Sequence, residues 1–89
     1  MKIVTPSNQF KRDFKRDMKR GKDPRAFQDI LALLVKGEEL PMRCFPHKLS
    51  GKFQGFWECH IEPDWLLIYD SGDDYVDLAR IGTHADLFK

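Results

Sequence analysis

The chain has 89 residues, of which 42% are hydrophobic, 12% aromatic and 33% charged, and its net charge is +1. That length gives one domain, residues 1–89, with a thin core that is still apolar enough to fold without disulfide staples. No run approaches the ~20 apolar residues that span a bilayer, and residues 1–10 turn polar where an export signal carries its apolar stretch, so a cytoplasmic protein with no membrane contact is expected.

Lys2 to Thr5 reads as a short first strand stopped by Pro6. Ser7 is the N-cap of a helix that runs to about Arg20 and is closed by Gly21. The helix is built on a four-residue repeat, Phe10-Lys11-Arg12-Asp13, Phe14-Lys15-Arg16-Asp17, Met18-Lys19-Arg20. Four residues slightly overshoot one helical turn, so Phe10, Phe14 and Met18 form one slanted apolar stripe. The same spacing stacks Lys on Lys and Arg on Arg, each pair costing a few tenths of a kcal/mol. Residues 1–25 carry nine Lys/Arg against three Asp, whereas residues 58–89 carry eight acidic residues against two basic ones. A basic end on a nearly neutral protein points to a polyanion or acidic partner, with a merely solvated helix face as the plainer alternative.

Asp23-Pro24 starts a second helix, with Asp as N-cap and Pro at the first helical position. Phe27, Ile30, Leu31, Leu34 and Val35 are its expected buried face, and Gly37 ends it. The two helices should form a hairpin. Leu40 to Ser50 reads as irregular, broken by Pro41 and Pro46. Beyond it the pattern changes to strands at Phe53–Ile61, Trp65–Tyr69 and Tyr75–Ile81, joined by turns at Glu62-Pro63-Asp64-Trp65 and Ser71-Gly72-Asp73-Asp74. Connections this short make an antiparallel meander.

His47, His60 and His84 all lie in the second half, in company with Asp64, Trp65, Arg80 and Phe88. In an up-down-up meander the first and third strands end on the same side, which should bring His60, Asp64, Arg80 and His84 to one edge. Such a set suits RNA cleavage without a metal. Imidazoles and a carboxylate move the protons, a guanidinium grips the phosphate, and aromatic rings stack on bases. A zinc site from Cys44-x-x-His47 and Cys59-His60 is a weaker reading, because adjacent strand residues point to opposite faces. Two cysteines are too few for a disulfide framework and are expected to be reduced in the cytoplasm.

Two segments are more specific. Cys59-His60-Ile61-Glu62-Pro63-Asp64-Trp65-Leu66-Leu67-Ile68-Tyr69 and Arg80-Ile81-Gly82-Thr83-His84-Ala85-Asp86-Leu87-Phe88 closely resemble signatures of YafQ-type toxins within the RelE/ParE superfamily. The resemblance extends to the helical hairpin, the His47-Lys48-Leu49 segment and the chain length. It implies an α+β fold with an N-terminal helical hairpin packed on a four-stranded, mostly antiparallel sheet. It also implies a ribosome-dependent endoribonuclease acting on mRNA in the A site, with rRNA contacts through the basic first helix. The implied partners are a cognate antitoxin and, for the toxin–antitoxin complex only, operator DNA.

The catalytic residues implied are His84, Asp64, His60, His47 and Arg80, with no cofactor or metal. His84 would be the main proton-transfer group, and Asp64 with His60 the base or its orienter. Arg80 would stabilise the phosphate, and His47 would assist. Trp65 and Phe88 would position the RNA or hold the site's shape. One position departs from the pattern: Trp57 stands three residues before His60, where close relatives tend to carry a basic residue, so a phosphate contact there would pass to Lys48 or Lys52. A superfamily member that poisons by binding, a plain RNA-binding module, and a ribosome-independent ribonuclease are the competing readings.

Overall fold

The computed structural model describes residues 2–88. The elements in chain order are β1 (Ile3–Pro6), α1 (Asn8–Lys19), α2 (Pro24–Lys36), β2 (His47–Lys48), β3 (Trp57–Glu62), β4 (Trp65–Ser71), β5 (Tyr75–Gly82) and α3 (His84–Phe88). They build one five-stranded sheet in the order β1-β5-β4-β3-β2. The pair β1–β5 is parallel and the others are antiparallel. The fold is thus α+β as expected, with one strand more than the four expected. The extra strand is β2, inside the stretch read as irregular. Two prolines hid it, since only His47 and Lys48 pair with Glu58 and Trp57. The first long strand also begins at Trp57 rather than Phe53. Gly51–Phe53 winds into a 3₁₀ turn, and Gly55 at φ 93° turns the chain before pairing starts.

Ser7 caps α1 by accepting the Phe10 amide at 2.9 Å, and its hydroxyl donates to the Ala79 carbonyl at 2.8 Å. Asp23 caps α2, and Gly37 closes it in the left-handed conformation at φ 73°. The hairpin lays Phe10, Phe27, Ile30 and Leu34 on one face of the sheet, against Cys59, Ile61, Trp65, Leu67, Tyr69, Val76, Leu78 and Ile81, with Phe14 and Met18 partly buried at its margin. Val35, expected among them, is only half-buried, on a part of α2 turned toward solvent beside Gln28 and Ala32. Leu66, Ile68 and Leu87 form a smaller cluster on the opposite face with Leu49, Phe53, Phe56 and Ala79. Alternation along β4 therefore sends Trp65, Leu67 and Tyr69 one way and Leu66 and Ile68 the other.

α1 does more than pack. β1 accompanies β5 only as far as Leu78, which would leave the last part of that edge bare. Side chains of α1 cover it: Asp13 accepts the Ile81 amide at 3.3 Å, and Arg16 donates to the Ile81 carbonyl at 3.0 Å. The Asp column of the repeat is thus buried, with Asp13 and Asp17 at most 1% exposed. Cys44 and Cys59 are both free and buried, and burial pushes the Cys59 thiol up to about 12. Among the described residues, no helix is long and apolar enough to cross a membrane.

Candidate active site

The site lies on the face of the sheet away from the helical hairpin. β3 alternates Trp57, Cys59 and Ile61 toward the hairpin with Glu58 and His60 toward the other face. In register, His60 pairs with Leu66, Glu58 with Ile68, and His47 with Glu58, so these side chains share that face.

α3 supplies the other half. Thr83 and Asp86 form a reciprocal capping box: the Thr83 amide donates to Asp86 at 2.9 Å, and the Asp86 amide donates to the Thr83 hydroxyl at 3.2 Å. Gly82 is required just before it. A Cβ there would stand 2.7 Å from the Arg16 guanidinium and 2.9 Å from the Asp86 side chain. The box delivers His84 beside Asp64, which projects from the β3–β4 turn. His84 Nδ1 lies 2.7 Å from Asp64 Oδ1, and the His84 amide donates to the same oxygen at 3.0 Å. The amide bond and then the ring bond hold the Asp64 carboxyl below the usual carboxylate range. A carboxylate only accepts, so Nδ1 carries the proton and Nε2 is left to act on a substrate.

The rings of His84 and His60 stand 5.7 Å apart, and that of Phe88 lies 6.4 Å from His84. Behind His60 stands Glu58, only 4% exposed, with Oε1 at 3.8 Å from His60 Nε2 and 3.3 Å from His47 Nε2. The other nitrogen of His47 faces the Phe45 carbonyl at 3.0 Å. His47, His60, Asp64, His84 and Phe88 therefore form one surface constellation, with His47 and His60 its half-buried members.

The remaining sequence candidates sit differently. Arg80 is matched by a carboxylate. Its Nε donates to Asp13 Oδ2 at 2.6 Å and its Nη2 to Asp13 Oδ1 at 3.2 Å, leaving Nη1 with no partner among the described residues. Trp65 is fully buried on the hairpin face and donates its indole N–H to Asp17 Oδ2 at 2.7 Å. It offers no ring face to a base, and of the two roles expected for it only the holding of shape is open to it. Lys48 stands beside position 57. It pairs in register with Trp57, on the face opposite His47, and its ammonium sits 5.8 Å from the Trp57 ring. The same parity bears on the departure at Trp57, because a residue three positions before His60 points to the hairpin side. Lys52 lies 5.5 Å from the Phe53 ring, which in turn meets Phe88 edge-on at 5.9 Å.

Sequence reasoning missed Glu58 and Arg43. Glu58 was accessible from period two, since it stands two residues before His60 on one strand. Arg43, exposed, lines a hollow of about 290 Å³ with His60, Ile61, Glu62 and Pro63. As a single basic residue in an irregular stretch it carried no signal. Among the described residues, no three His, Cys, Asp or Glu side chains are placed to hold a metal ion.

Comparison with known proteins identifies the family. The family model described as a bacterial toxin of type II toxin–antitoxin systems, YafQ, matches residues 2–89. The mRNA interferase toxin YafQ of Escherichia coli (strain K12) is 39% identical over 83 residues, covering 92% of this chain and 90% of that protein. The crystal structure of YafQ from E. coli strain BL21(DE3) superposes with a TM-score of 0.93 at 34% identity, over 100% of both chains. YafQ in the E. coli DinJ–YafQ toxin–antitoxin complex gives a TM-score of 0.90 at 36% identity, over 99% of this chain and 98% of that one. The chain belongs to the YafQ family of bacterial toxins of type II toxin–antitoxin systems.

Proposed function

We propose that this protein is an mRNA interferase, an endoribonuclease that cuts messages on the ribosome by attack of a ribose 2′-OH on its neighbouring phosphate. The observation that carries the reading is the Asp64–His84 pair facing His60 across 5.7 Å. His60, backed by Glu58 and assisted by His47, takes the proton from the 2′-OH. The freed oxygen bonds to phosphorus, the bond from phosphorus to the 5′-oxygen breaks, and His84 Nε2 gives that oxygen a proton. The products are a 2′,3′-cyclic phosphate and a 5′-hydroxyl. Arg80, through Nη1, and Arg43 meet the phosphate charge. Phe88 and Lys52 hold the RNA at the α3 side.

The openness of the site supports ribosome dependence. His84 and Asp64 side chains are 55% and 64% exposed. So open a surface fixes few nucleotides by itself, and a ribosome that already holds the message in one conformation supplies the missing orientation. The basic helix faces the rRNA, but without two of its arginines. Arg16 and Arg20 are tied to Asp13, Asp17 and Asp86. The exposed Lys11, Arg12, Lys15 and Lys19 remain for rRNA phosphates. By analogy with the E. coli toxin–antitoxin complex, a cognate antitoxin binds this toxin, and operator DNA is a partner of that pair alone.

The test is controlled expression of wild type and His84→Ala in bacteria, with growth followed and mRNA 5′ ends mapped. Growth arrest with new in-frame cuts in translated messages, both lost in the variant, is the expected result. Arrest that persists in the variant without new RNA ends would replace cleavage with poisoning by binding.

A further inference from the structure

Phe45 is 68% exposed, leaving more of its ring in water than any other aromatic residue among the described residues. Its backbone is also unusual, with φ 48° and ψ 56°. It is the one non-glycine residue at positive φ among the described residues. The left-handed region is costly for a residue with a Cβ, and the following Pro46 disfavours it further by pushing its predecessor toward extended backbone. An apolar ring left in water does not repay that cost through core packing. Strain of this kind points to a function served by the turn.

The turn performs two tasks. The Phe45 amide donates to the Met42 carbonyl at 3.0 Å, closing the 3₁₀ turn that buries Cys44. The Phe45 carbonyl then lies 3.0 Å from His47 Nδ1. The ring is left beside the catalytic constellation, 5.6 Å from the ring of His47 and edge-on to His60 at 6.4 Å. Phe88 occupies the other end, beside His84. The two exposed phenylalanines thus flank the histidines from opposite ends.

We propose that Phe45 is a stacking platform for a nucleobase of the bound RNA, namely that of the nucleotide whose 2′-OH attacks. The assignment rests on the ribonuclease reading for its direction, since His60 and His47 form the end that takes the 2′-OH proton and His84 the end that protonates the leaving oxygen. An open aromatic face takes any base, and the larger faces of purines stack best. Phe45 therefore favours a purine on the 5′ side of the cut.

The experiment uses a nine-nucleotide RNA carrying 2′-O-methyl groups throughout, so that it cannot be cut, with 2-aminopurine moved through its positions. The full-length toxin is titrated in at low salt. Wild type should quench the probe at one position. Phe45→Leu should lose that quenching and weaken binding about five- to hundred-fold, while Phe45→Trp keeps both and all three proteins melt alike. Quenching that survives in Phe45→Leu, or is absent from wild type at every position, overturns the proposal. A parallel cleavage assay on programmed ribosomes separates the two readings. In it, Phe45→Leu should raise the half-saturating toxin concentration with little change in the maximal rate. A wild type that shows Phe45-dependent quenching but cuts nothing would keep the platform and remove the catalytic reading.

Discussion

A single atom, Asp64 Oδ1, accepts from both the ring and the amide of His84, at 2.7 and 3.0 Å. The carboxylate therefore fixes at once where α3 begins and which imidazole nitrogen is left for the substrate. Asp64→Asn keeps the shape and both contacts through its amide oxygen, since the His84 N–H excludes an N–H₂ there, but removes the negative charge opposite the ring that the proton-transferring imidazole needs. The maximal cleavage rate should fall by about 10²- to 10⁴-fold, the range of a lost proton-transfer group. Binding should change little. Single-turnover cleavage on programmed ribosomes separates the two, and a variant that cuts at the wild-type rate would remove Asp64 from the mechanism.

Trp65 and Asp17 form a second pair, this one structural. The indole N–H donates to Asp17 Oδ2 at 2.7 Å, and neither side chain meets solvent. Trp65→Phe keeps a ring but orphans that oxygen, since Arg16 and Arg20 reach only Oδ1. The cost should be roughly 2–4 kcal/mol, an unmade buried hydrogen bond to a charged group plus lost volume. Denaturant unfolding measures it. Cleavage per folded molecule should stay near wild type well below the midpoint. Phe88→Ala should do the reverse, lowering cleavage with little change in stability, because its ring is 46% exposed.

These two pairs mark how far the sequence could be read. The order of the first strand, the helical hairpin and the three-strand meander, and the helix caps at Ser7, Asp23 and Gly37, follow from local rules, and the structure has them, whereas β2 and α3 lay outside that reading. The histidines converge because strand direction and short turns dictate it. Parity explains where two of the candidates went. Lys48, named as a stand-in for a contact at position 57, and Trp65, named from the signature, both fall on the face away from the histidines. The fate of Asp13, Asp17, Arg16 and Arg20 was not legible at all. Their repeat looks like a solvated charge column, and only the bare end of β5, a long-range feature, buries its aspartates and draws the two arginines over them.

Acid should reveal that charge network. Arg20, opposed by burial and helped by Thr83 and Arg16, holds Asp86 well below the usual carboxylate range. For Asp13, burial pushes upward, but bonds from Arg80, Gln9 and the Ile81 amide outweigh it and the carboxyl is also lowered. A carboxylate lowered by folding stabilises fully above its unfolded value of about 3.9. That stability is lost as pH falls through the folded value. The thermal midpoint should therefore hold near pH 5 and drop steeply below pH 4. Asp86→Asn should start lower at neutral pH and show a shallower drop. Parallel curves for the two proteins would mean that Asp86 carries no part of the acid sensitivity.

Glu58 offers the sharpest division between architecture and chemistry. It is a buried acid on the substrate face of β3, with Oε1 at 3.3 Å from His47 Nε2 and 3.8 Å from His60 Nε2. A purely structural site would be served as well by a glutamine, which has the same size and still forms hydrogen bonds. A base assembly would not, because charge on the carboxylate stabilises the imidazolium that forms when a histidine takes the 2′-OH proton. Glu58→Gln should therefore melt near wild type and cut about 10- to 100-fold more slowly at saturating toxin. Combining it with His47→Gln tests whether the two act as a unit. If they do, the double variant should cut hardly more slowly than the worse single one, whereas independent groups would multiply their losses. A Glu58→Gln enzyme of full activity would reduce Glu58 to a strut for the β2–β3 pair and leave His60 to act as base alone.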